Sequence, residues 1–109
     1  MSLISTLESM LDRGEDNALL RFALGSEYLK QREYAIAVDH LRAAIEHQPT
    51  YSAALKLLGK ALTGAGDVVD AIDAYDQGIE VAEKQGDKQA VREMRVLVRR
   101  LRKQISEET

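Results

Sequence analysis

Apolar residues recur along the chain at the three- and four-residue spacing of amphipathic helices, in six separate segments. In chain order the stripes are Leu3, Ile4, Leu7, Met10 and Leu11; Leu24 and Tyr28; Ala37, Leu41, Ala44 and Ile45; Leu55, Leu58 and Leu62; Ala71, Ile72, Tyr75 and Ile79; and Val91, Met94, Val98, Leu101 and Ile105. The pattern predicts an all-α fold with helices over residues 3–13, 18–31, 34–47, 51–64, 68–85 and 88–106.

Glycine, aspartate and proline separate the predicted helices. Gly66-Asp67 and Gly86-Asp87 each place a glycine, which tolerates the left-handed conformation of a helix end, before an aspartate that can accept the free amides of the next helix. Asp16-Asn17 offers the same kind of N-cap to the second helix. Pro49 cannot continue a helix, so it closes the third one.

The chain repeats itself after 34 residues: Leu24-Gly25 falls on Leu58-Gly59, and Ala37 falls on Ala71. A 34-residue period of paired helices is typical of tetratricopeptide repeats, and the chain resembles that family. The residues that carry the resemblance are Leu24-Gly25, Tyr28, Ala37, Leu41 and Pro49 in the first copy and Leu55, Leu58-Gly59, Leu62, Ala71 and Tyr75 in the second.

The resemblance implies a right-handed α-solenoid of antiparallel helix pairs, because a single hairpin cannot bury both of its faces. We interpret residues 1–109 as one domain with an N-terminal half repeat (1–17), repeat one (18–51), repeat two (52–85) and a C-terminal capping helix (86–109). Gly25 and Gly59 are expected to let the first helix of each pair approach its neighbours closely.

A strict 34-residue period would place Arg92 and Glu93 of the last helix at the buried positions of Leu58 and Gly59. Burial of two charges is costly. A slide of three residues places Val91, Met94 and Val98 inward instead. This slide predicts that helix 68–85 is about one turn longer than helix 34–47, its counterpart in repeat one.

Charge is divided along the chain. Residues 1–83 hold 7 basic and 14 acidic residues, a net charge of −7, whereas residues 84–109 hold 8 basic and 4 acidic residues, a net charge of +4. The chain has no cysteine, its start lacks the pattern of a signal peptide, and no apolar run reaches the ~20 residues that span a bilayer. These features favour a cytoplasmic protein without membrane insertion.

The polar residues do not suggest catalysis. His40 and His47 share a helix face without the further ligands that zinc needs, so we interpret them as surface histidines and expect no metal and no cofactor. No nucleophile, acid and base can be combined, so an enzyme is not predicted. We interpret an acidic ridge as a solvated face opposite the basic last helix; it comprises Asp70, Asp73, Asp76, Glu80 and Glu83.

The resemblance also implies a function, because in this family the first helices line a concave groove that binds peptides, usually in adaptors or scaffolds. Carried onto this sequence, the groove comprises Phe22, Ser26, Leu29 and Lys30, then Lys56, Lys60 and Thr63, then Arg92 and Arg99, with Leu19, Ala53 and Val96 beside them. These positions include cations and no acidic residue, which predicts a protein or peptide partner with negative charge.

Two other interpretations stay open. A terminal helix could mediate self-association as a structural module, although a monomer is favoured. The basic cluster of Arg99, Arg100, Arg102 and Lys103 could bind nucleic acid, but the acidic total and the lack of interleaved aromatic residues make this the third choice.

Overall fold

The structure of the protein, a computed structural model, describes residues 2–108. These residues form six helices and no strand: α1 (Leu3–Asp12), α2 (Ala18–Lys30), α3 (Tyr34–His47), α4 (Ser52–Ala65), α5 (Val68–Gln85) and α6 (Lys88–Glu108). The all-α prediction is therefore confirmed, and the predicted helix ends lie within two residues of the observed ones.

The helix ends follow the expected chemistry with one exception. The Asn17 side chain accepts a hydrogen bond from the Leu20 amide at 2.8 Å, and the Asp87 carboxylate accepts one from the Ala90 amide at 3.1 Å. Asp67 occupies the residue before α5, but its side chain accepts no capping hydrogen bond, so the prediction of a side-chain cap there is wrong. The chain reverses direction instead through Gly66, whose φ is +87°.

The helices stack side by side in chain order as a helical solenoid, and α2 also contacts α4. Ala37 and Leu41 of α3, Leu58 and Leu62 of α4, and Tyr75 of α5 are buried in the main core. A smaller cluster joins α1 to α2; it comprises Leu7, Leu20 and Leu24.

The glycines of the repeat allow close contact within each hairpin. A Cβ atom on Gly25 would lie 2.5 Å from Cγ of Leu41 in α3, and a Cβ atom on Gly59 would overlap the ring of Tyr75 in α5. The expectation of a close contact is confirmed, but the neighbour is the second helix of the same pair rather than another first helix. Leu41 and Tyr75 are themselves one repeat apart.

The last helix docks as the three-residue slide predicted. Val91, Met94, Val98 and Leu101 of α6 are all buried. The preceding helix, α5, has 18 residues whereas α3 has 14, which is the additional turn that the slide requires. Between residues 2 and 108, no helix combines the length and the apolar character needed to cross a membrane.

Candidate functional site

Helices α4 and α6 face each other across a cleft of ≈ 330 Å³. Helix α4 is the first helix of repeat two, and α6 is the helix that follows this repeat. The sequence predicts a groove along both. The lining of the cleft is Lys56 and Lys60 from α4, and Glu93, Val96, Leu97 and Arg100 from α6. Three cations and one carboxylate thus surround a partly apolar floor.

Lys56 and Glu93 form an ion pair that joins the two helices. The pair is partly shielded from water, with 28% and 41% of the two side chains exposed. The other carboxylate oxygen of Glu93 accepts a hydrogen bond from Nε2 of Gln89 at 3.2 Å. The Lys56 ammonium, followed by the Gln89 amide, lowers the pKa of the Glu93 carboxyl. Glu93 is therefore held as a carboxylate inside the cleft.

A second cleft of ≈ 270 Å³ lies on the other side of this ion pair, toward the start of both helices. Lys56 and Glu93 line both clefts. The remaining residues of the second cleft are Ser52, Ala53, Asp87, Gln89, Ala90 and Met94. The ion pair consequently separates a cationic cleft from one whose additional charge, on Asp87, is negative.

Lys60 and Arg100 are the free cations of the first cleft. Both residues are exposed, and within residues 2–108 neither forms an ion pair. Val96 and Leu97 beside them are only partly exposed. The arrangement can therefore take up an anionic group next to an apolar one.

The structure corrects the predicted orientation of Arg92 and Arg99. Arg92 lines a cleft with Glu83, and Arg99 lines one with Asp76, both against α5 and away from Lys56 and Lys60. The two arginines do not join the groove lysines.

The register read from the sequence does not lead to these positions. An offset of 36 residues places the buried Leu55, Leu58 and Leu62 of α4 on the buried Val91, Met94 and Val98 of α6. The same offset leads from Lys56 to Arg92 and from Thr63 to Arg99. The residues of α6 that line the cleft, Glu93 and Arg100, each lie one position further along the helix.

The predicted groove residues of α2 have several different environments. Phe22 stacks on Tyr51, with ring centroids 4.9 Å apart, at the start of α4. Leu29 packs against the main core, and Lys30 forms an exposed ion pair with Glu27 at 2.8 Å. Ser26 is half-buried. In α4, the Thr63 hydroxyl donates a hydrogen bond to the Gly59 carbonyl at 2.7 Å, so it is already satisfied.

The two histidines have structural partners. Nδ1 of His40 lies 3.1 Å from Nη1 of Arg21, and its ring stacks on Tyr28. Nε2 of His47 lies 3.0 Å from the Asp16 carboxylate. His40 is half-buried, so its interpretation as a surface histidine is wrong. Within residues 2–108, no group of three or more His, Cys, Asp or Glu residues is arranged to hold a metal ion.

The acidic ridge lies beside the basic last helix, as the sequence predicted. Arg95 pairs with Glu83, and Arg102 pairs with Asp76, each at 3.5 Å. Lys103 lies 4.0 Å from Glu107. Two of the four residues of the basic cluster, Arg102 and Lys103, are therefore paired with carboxylates, which reduces the positive charge that the cluster offers to nucleic acid.

Comparisons with known proteins find relatives that share the sequence and the helical fold. The family model described as tetratricopeptide repeat matches residues 22–88. A tetratricopeptide repeat-containing protein of Pseudomonas aeruginosa is 50% identical over 99 residues, which cover 91% of this chain and 94% of that protein.

Solved structures extend the similarity to the whole fold. The solution structure of a Bordetella parapertussis protein has a TM-score of 0.86 at 44% identity and covers 99% of this chain and 94% of its own. The crystal structure of a tetratricopeptide repeat domain protein from Salinibacter ruber has a TM-score of 0.72 at 30% identity and covers 80% of this chain and 97% of its own. The first of these similarities includes nearly every residue of the present chain.

Proposed function

The chain belongs to the tetratricopeptide repeat family, and from this premise we propose that it binds an anionic peptide segment of a partner protein in the cleft between α4 and α6. Proteins of this family are generally protein–protein interaction modules and typically non-catalytic. The anionic character of the ligand and its position between α4 and α6 are our proposal.

One observation carries the proposal. Lys56, Lys60 and Arg100 line the same cleft, with Glu93 as the single carboxylate among them. In a chain with a net charge of −3, this is a local excess of positive charge. A concave, positively charged surface attracts anionic ligands and raises their local concentration.

The apolar floor of the cleft adds a second requirement for the ligand, namely an apolar side chain. Val96 and Leu97 line the cleft together with the cations, and an apolar side chain of the ligand would cover them. We therefore expect a segment rich in Asp and Glu that also carries an aliphatic or aromatic residue. The exposed cations should contribute ~0.2–1 kcal/mol each, mostly through the association rate and its salt dependence.

The α2 residues belong to the proposal as an extension of the site. Phe22 and Ser26 occupy the positions of repeat one that correspond to Lys56 and Lys60 on the α4 side of the cleft, and Leu29 and Lys30 follow them along α2. A ligand longer than the cleft would continue across them, with the Phe22–Tyr51 stack as an apolar contact. Roles as an adaptor or scaffold and a cytoplasmic location stay predictions.

Fluorescence anisotropy with labelled peptides tests the function. A Glu-rich peptide with one Leu should bind the parent protein, and the same peptide with Gln in place of Glu should bind less tightly. Lys60→Ala combined with Arg100→Ala should weaken binding of the acidic peptide by about 3- to 30-fold at low salt.

Arg92→Ala combined with Arg99→Ala is the matched control. It removes the same charge from exposed positions against α5 and should leave affinity within about twofold of the parent. Equal losses in the two double variants would show that overall charge, and not this cleft, attracts the peptide.

Self-association remains the alternative. Leu3 on α1 is 54% exposed, at the end of the solenoid where no first helix precedes it within the described residues. A parent protein that dimerises on concentration and ignores acidic peptides would favour that alternative.

A further inference from the structure

The cationic cleft already contains one carboxylate, and it belongs to the protein. Glu93 projects from α6 to the Lys56 ammonium on α4. A second donor, the Gln89 amide, reaches its other oxygen at 3.2 Å. Two donors on two oxygens are what a carboxylate of a bound peptide would need at the same place.

This contact changes which cations are available to a ligand. Lys56 forms an ion pair with Glu93, whereas Lys60 and Arg100 form no ion pair within residues 2–108. Lys60 also lowers the pKa of the Glu93 carboxyl, but with a smaller effect than Lys56. A carboxylate that approached Lys56 would have to displace Glu93, and it would meet repulsion from it. Glu93 and an acidic ligand therefore compete for one lysine.

We propose that Glu93 is an intramolecular competitor that lowers the affinity of the α4–α6 cleft for acidic partners and confines the ligand's negative charge to Lys60 and Arg100. The inference rests on the proposed function, because it concerns regulation of the same cleft. The partner it selects has its acidic residues at one end of the bound segment and neutral or basic residues toward Asp87, which lines the adjoining cleft.

The geometry argues for a role in specificity rather than stability. Ion pairs that are partly exposed contribute little to folding, typically below ~1 kcal/mol. Val91, Met94, Val98 and Leu101 already bury α6 against the rest of the fold. Loss of the Lys56–Glu93 pair should therefore leave the helix docked, while it releases Lys56 into the cleft.

Glu93→Gln tests the competition, because it keeps the shape of the side chain and removes its charge. We expect the acidic peptide to bind about three- to fivefold more tightly than it binds the parent at low ionic strength. Lys56→Gln alone should weaken binding, because it leaves the Glu93 carboxylate unpaired in the cleft, where it repels the acidic peptide. Lys56→Gln added to Glu93→Gln should return affinity to about the parent value.

Glu83→Gln is the matched control. Glu83 also pairs with an α6 cation, Arg95, but this pair lies against α5 and outside the cleft. Glu83→Gln removes the same charge as Glu93→Gln and one comparable ion pair, but outside the cleft. The affinity for the acidic peptide should therefore not increase. Circular dichroism of each variant checks that the helices are retained.

The outcomes separate this inference from the proposed function. If the parent binds acidic peptides and Glu93→Gln binds them no more tightly than Glu83→Gln does, the competition is refuted and the binding function stands. If neither the parent nor Glu93→Gln binds an acidic peptide, the proposed function fails and the competition fails with it. Binding by Glu93→Gln alone would support the competition, with Glu93 as a complete block, and would contradict the proposed function of the parent protein.

Discussion

Arg32 and Gly66 occupy the same place in the two copies of the repeat, directly after the first helix of each pair. Arg32 lies two residues beyond the end of α2, and Gly66 lies one residue beyond the end of α4. Gly66 has φ +87°, and Arg32 has φ +59°, so both adopt the left-handed conformation. The amide of each donates a hydrogen bond three residues back, to Leu29 and Thr63 respectively. The turn between paired helices therefore requires a left-handed backbone conformation at this position, whether the residue is glycine or not.

Arg32→Gly should stabilise the protein. A non-glycine residue in the left-handed region costs roughly 1–2 kcal/mol relative to glycine, and the greater freedom of glycine in the unfolded chain takes back part of that gain. We expect the free energy of unfolding in urea to rise by about 0.5–1 kcal/mol. Arg42→Gly, within α3, should lower it by about 1 kcal/mol and serves as the control. If Arg32→Gly and Arg42→Gly lowered the free energy of unfolding by similar amounts, the left-handed conformation of Arg32 would not be a source of strain.

His40 links stability to pH. Burial, and then the neighbouring Arg21 guanidinium, lower the pKa of the His40 imidazole below its ordinary value of 6.5. Glu8, Asp39 and Asp16 act in the opposite direction with smaller effect. The folded protein thus binds fewer protons here than the unfolded chain does between the two pKa values.

The expected consequence is that stability from His40 is complete above pH 6.5 and declines as the pH falls through the lowered folded pKa. Protonation would also place two positively charged donors, His40 and Arg21, face to face. Urea unfolding at pH 7.5 and pH 5.5 should show a smaller loss for His40→Gln than for the parent. His47 is present in both proteins, so the difference isolates His40. Equal losses would disprove the role.

Close packing within each helix pair defines the elements. Gly25 meets Leu41, and Gly59 meets Tyr75, at positions related by the repeat. Tyr75 is 2% exposed, so its ring has little room to move away from α4. The distance between the paired helices is consequently set by the absence of a side chain on each glycine.

Gly59→Ala should therefore destabilise the protein although alanine is the better helix former. Its Cβ would overlap the Tyr75 ring, and such overpacking costs typically ~1–3 kcal/mol. At an open position of a helix the same change would stabilise by up to ~1 kcal/mol. Thermal unfolding followed by circular dichroism distinguishes the signs. A higher melting temperature would refute the close contact between α4 and α5.

At the scale of the whole molecule, the ion pairs between the acidic α5 and the basic α6 do not hold the last helix in place. The pairs Arg95–Glu83 and Arg102–Asp76 are largely exposed, and pairs of this kind contribute ~0–1 kcal/mol. The apolar stripe of α6, which includes the fully buried Met94, provides the contact with the core. The charges instead form a solvated outer face along α5 and α6, while the α4–α6 cleft holds the cations proposed for recognition.

The sequence by itself determined the number and limits of the helices, the 34-residue repeat and the inward stripe of α6. These features are periodic along the chain, and burial of charge excluded the wrong register for Val91 and Met94. The identity of the groove residues depended on the tertiary structure, because each step of one residue rotates a side chain by about 100° around a helix.

Arg99 and Arg100 differ by one such step, and only Arg100 lines the cleft with Lys56 and Lys60. The pairing of Lys56 with Glu93 was decided in the same way, since the packing of α6 against α4 and α5 sets the rotation of both helices. The local sequence does not determine that rotation.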